Sequence, residues 1–192
     1  MWFTENLKIR LTMMSRRPRQ ISYGFVDTRF GRMLLGVVSL DDVQSEAQDA
    51  ICLLYFVMEN DEDTLGEAIQ RSHGAKMVKE SAIIQKWSDK LFSGGKDVEE
   101  CVIDVAILGT PFETAVWSAL LEVKSGQTYT YMQLATQMGR PEVVRSLASA
   151  VGRNEVAILI PCHRIVSKNG DSKYHWGGRL KLELLSFEQA TK

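Results

Sequence analysis

Cysteine is scarce in this sequence, and its few cysteines show no pairing pattern. The 192 residues contain only Cys52, Cys101 and Cys162, and an odd number without a repeated spacing does not fit a disulfide framework. We therefore expect three free thiols in a reducing compartment. The CxxC and HxxxH spacings of common zinc sites are also absent, so Cys52, Cys101 and His73 are not expected to bind a metal ion.

Long apolar runs are absent as well. No segment approaches the ~20 consecutive apolar residues of a membrane-spanning helix, and residues 1–20 lack the apolar core of a secretory signal. With 45% apolar residues, the chain can still bury a core as one large domain or two small ones. These features predict an intracellular protein without a membrane partner, cytoplasmic in a bacterium or archaeon and nuclear in a eukaryote.

Acidic and basic side chains nearly balance, with a formal net charge of −1, but they are unevenly distributed. Residues 1–40 hold seven basic and two acidic side chains. Residues 41–105 hold six basic and fifteen acidic side chains, and residues 124–192 hold ten basic and five acidic ones. A basic last third could bind the phosphate backbone of nucleic acid by itself. Ordinary surface charge produces the same asymmetry, so charge alone leaves both interpretations open.

The first half of the chain is predicted to be a sheet with covering helices. Residues 21–27, 32–38 and 50–58 are short and rich in apolar side chains, which favours an antiparallel sheet. Residues 61–71 and 81–92 show helical spacing and predict two helices that cover one sheet face. We therefore expect an α+β protein.

Three regions are predicted along the chain. Residues 1–20 carry five basic side chains without apolar periodicity, which predicts a mobile basic arm. Gly94–Val98 marks a boundary between an N-terminal sheet-bearing domain, residues 21–97, and a mostly helical C-terminal domain, residues 98–192. The second domain is expected to begin with a strand at about 102–108.

Two short predicted helices in the C-terminal domain have helix-turn-helix spacing. They cover about 131–138 and 142–153, and Gly139 and Pro141 lie between them, where glycine can end a helix and proline can begin one. On the second helix, large apolar side chains share one face, whereas the opposite face is small and bears one cation: Arg145, Ala148, Ser149 and Gly152. Such a face suits close approach to DNA, although two helices and a turn are also ordinary packing.

Cys162 has the surroundings of a reactive thiol. The apolar run 156–160, which we predict to be an extended buried segment, leads directly into Pro161, Cys162, His163 and Arg164. A thiol attacks as thiolate, so it needs a nearby base; His163 could serve through one water molecule, because adjacent side chains point apart in extended backbone. Glu188, on a helix predicted from about 181 to 189, is the candidate carboxylate that orients the histidine. A buried, inert cysteine is the alternative.

Residues 109–189 carry an ordered set of short motifs. They are Gly109-Thr-Pro-Phe112, Val116-Trp117, Thr130-Tyr131, Leu134-Ala135, Arg145, Asn154, Pro161-Cys-His-Arg-Ile-Val166 and Tyr174-x-Trp176-Gly177. This set resembles the methylated-DNA–protein-cysteine methyltransferase family. The first hundred residues resemble it only loosely, in the manner of its sheet-bearing N-terminal domain.

The resemblance implies roles in chemistry for four residues. Cys162 would accept the alkyl group, His163 would activate it through water, and Glu188 would orient the histidine. Tyr131 would rotate the 3′ phosphate and later donate a proton to the departing guanine. No cofactor is implied.

It also implies a DNA-binding surface and a pocket. The helix-turn-helix would enter the minor groove of duplex DNA, where Arg145 would fill the space of an extruded base and Ala148 and Ser149 would lie against the DNA. Asn154 would brace the turn at the active site and Tyr174 would wall the pocket. Pro161 and Arg164 are assigned to its support. The loop from Gly170 to Tyr174 departs from the family by being one residue shorter, with Lys173 where glycine is common.

The predicted function is stoichiometric DNA repair by a protein expected to be a monomer without protein partners. The chain would flip O6-methylguanine, and also O4-methylthymine, out of double-stranded DNA and transfer the alkyl group irreversibly to Cys162. One alternative is a non-catalytic module that binds the lesion and recruits other repair factors. Another is a thiol hydrolase that uses Cys162 and His163 and needs no DNA.

Overall fold

The chain forms two compact units, Met1–Leu108 and Gly109–Lys192, called here the first and second units. This division lies beyond the boundary predicted near Gly94–Val98, so the strand assigned to the C-terminal domain belongs to the first unit, where it pairs with two other strands. The computed structural model describes residues 7–40, 48–72, 74–92, 101–168 and 174–190.

The first unit is built on a six-stranded sheet. Its strands are β1 (Leu7–Met13), β2 (Gln20–Thr28), β3 (Gly31–Ser39), β4 (Asp49–Phe56), β5 (Lys76–Lys79) and β6 (Cys101–Ile107). Their order is β1-β6-β4-β3-β2-β5. The pairs β2–β3 and β3–β4 are antiparallel, as predicted, but β1–β6, β4–β6 and β2–β5 are parallel. The sheet is therefore mixed and not wholly antiparallel. The prediction missed the parallel pairs because apolar runs mark strands without fixing the direction in which distant strands pair.

Strand β1 corrects the prediction of a mobile arm over residues 1–20. It pairs with β6 along its whole length, and Arg10 forms an ion pair with the buried Asp104 of β6. Exposed Lys8 and Arg10 alternate with half-buried apolar residues, a period of two that its basic side chains obscured. Residues 1–6 lie outside the described part of the chain.

Two helices cover opposite faces of this sheet, although one face was predicted. They are α1 (Asp61–Arg71) and α2 (Ser81–Phe92), with the bounds predicted from their spacing. Ile84 of α2 lies over Gly24, whereas Asp61 of α1 binds Arg32, whose guanidinium stacks on the ring of Phe25 at 5.3 Å. Neighbouring residues of a strand point to opposite faces. Both faces are consequently buried at β3 and β4.

The cysteines outside the active site belong to this unit. Cys52 lies in the core on β4 and is 5% exposed. The side chain of Cys101 and the whole of His73 lie outside the described residues.

The second unit is mostly helical, which completes the α+β fold that the sequence predicted. Its elements are α3 (Pro111–Leu121), β7 (Tyr129–Thr130), α4 (Tyr131–Gln137), α5 (Val144–Gly152), β8 (Ile165–Val166) and α6 (Gly178–Ala190). Threonine caps begin two of the helices: Thr110 and Thr130 each accept a bond from the amide three residues later, and the side chain at that position bonds back. Within the described ranges, no helix is long and apolar enough to cross a membrane.

Helices α4 and α5 are joined by a short turn. Gly139 ends α4, as predicted, with φ of 72°, a left-handed conformation that glycine adopts readily at a helix end. Pro141–Val143 forms a 3₁₀ turn that leads into α5, so α5 begins two residues later than predicted. The buried Leu134 and Leu147 hold the inner faces of the two helices in the core.

Candidate active site

A 3₁₀ turn, Cys162–Arg164, carries the predicted nucleophile at the end of a buried segment. Residues 156–160 were predicted to be extended. They are buried but form a compact turn, in which the Ile160 amide donates to the Val156 carbonyl at 3.1 Å. Apolar content identifies a buried run and not its backbone conformation, which explains the error. Ile158 has φ of 69° in this turn, a conformation that is costly for a β-branched residue.

The side chain of Asn154 holds the turn together. Its Nδ2 donates to the carbonyls of Val156 (3.3 Å) and Ile160 (2.9 Å) and to Cys162 Sγ (3.1 Å). Its Oδ1 accepts from the Val156 amide at 3.0 Å. Asn154 is 3% exposed, so losing these bonds would leave buried polar groups unpaired. The residue has the contacts expected of the brace that the resemblance implies.

The Cys162 thiol is buried and protonated at rest. Its residue is 7% exposed, and burial raises its pKa to about 11, although the bond from Asn154 and the charge of Lys181 act in the opposite direction. A thiol with this pKa is almost entirely protonated at neutral pH and is a weak nucleophile. Attack therefore requires a base that removes the proton.

His163 is buried, and Glu188 sets its tautomer. His163 Nε2 lies 2.8 Å from Glu188 Oε1, and because a carboxylate only accepts, Nε2 carries the hydrogen. The lone pair is then on Nδ1, which is buried without a hydrogen-bond partner among the described residues. Burial lowers the pKa of His163, and Glu188 opposes this only in part. The imidazole is consequently neutral at pH 7 and can accept a proton at Nδ1.

Glu188, on α6, is held by further donors besides His163. Arg164 Nε and Nη2 donate to its carboxylate at 2.9 to 3.1 Å, and the Gly126 amide donates to Oε2 at 3.2 Å. Arg164 Nη1 also donates to the Val123 carbonyl at 2.5 Å. Burial raises the pKa of Glu188, but the bonds from His163 and Arg164 outweigh burial and lower it to about 2. The carboxylate therefore stays charged and can stabilise a protonated His163.

Lys181 is a site residue that the sequence analysis missed. It is 2% exposed, and its Nζ donates to the Ile165 carbonyl at 2.5 Å. Burial lowers the pKa of Lys181, while the neighbouring Cys162 raises it. A lysine in a helix normally predicts an exposed side chain. The one signal in the sequence was its place two helical turns before Glu188, on the same face of α6.

A pair of short strands brings Tyr131 near Cys162. β7 and β8 are parallel, with Thr130 opposite Val166; β7 leads into α4 at Tyr131, and β8 follows the 3₁₀ turn. Burial, and then the neighbouring Cys162, raises the pKa of Tyr131. Its hydroxyl therefore keeps its proton at neutral pH and is available as a donor.

Tyr174 packs beside the histidine, as a pocket wall would. Its ring meets His163 edge-on at 6.5 Å and Trp176 at 5.3 Å between ring centroids. Its hydroxyl is buried without a hydrogen-bond partner in the described ranges. Burial, and next the electrostatic effect of Cys162 and Glu188, raises its pKa well above the ordinary value. The shortened loop predicted before it, including Lys173, lies outside the described residues.

The two faces of α5 differ in exposure as the sequence pattern suggested. Leu147 and Val151 are buried. Arg145, Ser149 and Gly152 are exposed and Ala148 is half-buried. Pro161 is buried immediately before the 3₁₀ turn. The structure thus brings Cys162, His163, Glu188, Tyr131, Asn154 and Tyr174 together, and keeps Arg145 on an exposed helix face.

Comparison with known proteins relates this site to one family. Residues 111–190 match the family model described as "6-O-methylguanine DNA methyltransferase, DNA binding domain". A probable methylated-DNA–protein-cysteine methyltransferase of Acanthamoeba polyphaga mimivirus is 46% identical over 87 residues, which are 45% of this chain and 58% of that protein. A methylated-DNA–protein-cysteine methyltransferase of Kluyveromyces lactis is 39% identical over 102 residues, 53% of this chain and 54% of that protein. The chain thus spans little more than half the length of these relatives.

The fold is also that of a solved structure. A Mycobacterium tuberculosis O6-methylguanine methyltransferase superposes with a TM-score of 0.63 at 22% identity, over 90% of this chain and 95% of that one. At this identity the likeness concerns the fold alone, and it extends over both units. In sequence, the second unit therefore resembles the methylated-DNA–protein-cysteine methyltransferases.

Proposed function

We propose that this protein repairs alkylated DNA by moving the alkyl group from O6 of guanine to Cys162, once per molecule. The observation that carries the proposal is the pairing of a buried thiol with a neutral histidine. His163 offers a basic Nδ1, and its Nε2 is held by the Glu188 carboxylate at 2.8 Å. The names of the matched relatives support the same reaction.

The proton of Cys162 leaves by way of water. Within the described part of the chain, Sγ and His163 share no direct hydrogen bond, so one bridging water would carry the proton to Nδ1. Glu188 would then stabilise the imidazolium as a charged pair. The raised pKa keeps the thiol protonated at neutral pH until His163 takes the proton, which protects a nucleophile that can be used only once.

The transfer is a single displacement at the alkyl carbon. Cys162 Sγ forms a bond to that carbon while the bond from carbon to O6 breaks and leaves its electron pair on the guanine. Tyr131, which holds its proton at neutral pH, would supply the proton that guanine takes up. The product is a thioether and an unmodified guanine. Because a thioether has no route back to thiol in this site, each molecule acts once, without a cofactor.

The exposed face of α5 would meet the DNA. Its residues Ala148, Ser149 and Gly152 are small enough for close contact with the minor groove, and Arg145 would occupy the space that the extruded base leaves. Extrusion costs a few kcal/mol and less for a poorly paired base, so weakened pairing adds selectivity for the lesion. O4-methylthymine, which is also poorly paired, is proposed as a second substrate.

The test compares the DNA before and after incubation with the wild-type protein and with Cys162→Ala. Chromatography of the hydrolysed DNA measures O6-methylguanine, and fluorescence anisotropy measures binding of the lesion-bearing duplex. We expect the wild type to restore guanine up to one equivalent, and Cys162→Ala to bind the duplex without restoring any. Lesion binding by the wild type with no loss of O6-methylguanine would contradict the proposal and favour a recruiting module.

A further inference from the structure

The C-terminal end of α5 is fastened to the N-terminal end of α3 by an ion pair. Arg153 caps α5, and its Nη1 donates to Glu113 Oε1. One turn earlier, the Trp117 indole donates to the buried Ala150 carbonyl at 3.0 Å. Two contacts from α3 therefore fix the last turn of the helix that presents Arg145.

Glu113 is built into α3 as a rigid acceptor. Its side chain is 9% exposed, and its Oε2 accepts from the amide (2.8 Å) and hydroxyl (2.9 Å) of Thr110. Burial raises its pKa, but the bonds from Thr110 and Arg153 outweigh burial and lower it. One oxygen thus caps the helix and the other remains for Arg153, whose own side chain is 61% exposed. Glu113 is therefore the fixed member of the pair, and its carboxylate restrains the exposed side chain of Arg153.

The arginine is adjacent to the residue that shapes the nucleophile. Asn154 follows Arg153 directly, and its side chain bonds to Cys162 Sγ and to the turn before it. A displacement of the Arg153 backbone would move α5 on one side and Asn154 on the other. Along the chain, Arg153 therefore lies between α5, which carries the exposed face, and Asn154, which contacts the thiol.

We propose that Glu113 and Arg153 are positioning residues, which hold the DNA-facing helix and Cys162 in the relative placement that transfer requires. This inference rests on the proposed alkyl transfer. It gives Arg153 a role distinct from a phosphate contact, which its basic, exposed side chain would otherwise predict. A small misplacement of reacting groups lowers a rate steeply even when binding is unchanged. The pair should thus affect the rate of transfer from bound DNA more than the affinity for DNA.

The experiment is a double-mutant cycle with Glu113→Gln, Arg153→Met and both together. Glutamine keeps the capping bonds to Thr110 while it removes the charge, and methionine keeps most of the arginine stem. Transfer is timed by quenching at saturating duplex with one O6-methylguanine, and the dissociation constant of the lesion-free duplex is measured at several salt concentrations. Melting temperatures are taken first, and all rates are measured well below them. Arg153→Lys, which restores a cation, serves as the conservative control.

The proposal predicts that each single variant lowers the saturated rate about tenfold, that the double variant is no slower than either, and that Arg153→Lys recovers much of the loss. Dissociation constants and their salt dependence should stay within about twofold of the wild type.

If Arg153→Met instead weakens binding and flattens its salt dependence while Glu113→Gln has no effect, Arg153 is a phosphate contact and the proposal is wrong. Unchanged rates in both singles would also overturn it. Absence of transfer by the wild type would refute the proposed function itself.

Discussion

At the scale of single residues, the site combines a protonated thiol with a neutral base. Burial raises the pKa of Cys162 to about 11, and burial lowers the pKa of His163. Neither group is charged at pH 7, so both can be buried without an unpaired charge. Among the described residues, the ionisable side chains near this pair include Glu188, Arg164 and Lys181. Glu188 is hydrogen-bonded to His163 and Arg164, and Lys181 donates to the Ile165 carbonyl.

The raised pKa of Cys162 predicts slow reaction with a general alkylating reagent. Iodoacetamide reacts with thiolate, so labelling of the folded protein at Cys162 should be slow at pH 7 and rise about tenfold per pH unit toward the pKa. Peptide mapping after timed quenching measures the rate, and the same protein in denaturant provides the reference. Labelling at pH 7 as fast as in denaturant would show a thiol with an ordinary or lowered pKa, contrary to this expectation.

Replacing Glu188 by Gln should slow transfer by roughly 100-fold, the size of a general-base contribution. Glutamine removes the anion that raises the pKa of His163, so the base weakens and its protonated form loses its partner. Single-turnover rates at several pH values measure the effect. A variant that transfers at the wild-type rate throughout would remove Glu188 from the mechanism.

The same carboxylate makes stability depend on pH. Its pKa is lowered from 4.5 to about 2 in the folded protein, so its stabilising contribution is complete above about pH 4.5 and is lost as the pH falls toward 2. The free energy of unfolding of Glu188→Gln should therefore vary less than that of the wild type between these values. Urea unfolding at each pH measures both, and equal slopes would contradict the lowered pKa.

At the scale of elements, close packing explains why glycine occupies position 109, at the start of the second unit. A Cβ at Gly109 would lie 2.7 Å from the Trp117 ring, and that indole is committed to the Ala150 carbonyl. Gly109→Ala should lower the free energy of unfolding by about 1–3 kcal/mol, the usual cost of overpacking. The matched control is Gly152→Ala on α5, where no atom lies within 4 Å of the new Cβ and alanine should stabilise the helix by up to about 1 kcal/mol. Thermal and urea unfolding compare the two, and an equal response would refute the packing argument.

Arg145 belongs to the exposed face of α5 and should matter only when DNA is the substrate. Arg145→Ala should slow transfer from duplex DNA far more than transfer from free O6-benzylguanine, because only the duplex needs a base to be extruded. Both rates are measured by the mass of the modified protein. Equal losses on the two substrates would deny the arginine any part in extrusion.

Sequence patterns located most elements but not all of their arrangements. The two helices of the first unit and the αL glycine at Gly139 follow from local rules of spacing and termination. The parallel pairing of β1 with β6 depends on residues almost a hundred positions apart, which local patterns do not encode. Likewise, 156–160 was recognisable as buried, but its turn is imposed by the Asn154 side chain, which satisfies the backbone groups that a strand would have paired.

The candidate site was predictable to the extent that its chemistry is local in sequence. Cys162 and His163 are adjacent, and their polar setting marks them as reactive. Lys181 was missed because only the packed fold reveals that its side chain is buried beside the thiol. The Glu113–Arg153 pair was missed for the same reason, since its members are forty residues apart.

At the scale of the whole molecule, the two units differ in the balance of acidic and basic side chains. The acidic stretch 41–105 lies in the first unit, whereas residues 124–192 hold ten basic and five acidic side chains. The basic stretch includes Arg145 and the entire turn that carries Cys162. Binding to DNA is therefore expected to be sensitive to salt, and to depend chiefly on the second unit.

The measurement that tests the central claim most directly is the intact mass of the protein after incubation with duplex DNA that contains one O6-methylguanine, followed by peptide mapping. We expect one methyl group per molecule, on the peptide that carries Cys162, with no further gain when excess DNA is added. Methylation at another residue, or an unchanged mass for reduced protein that binds the lesion, would contradict the assignment of Cys162 as the acceptor.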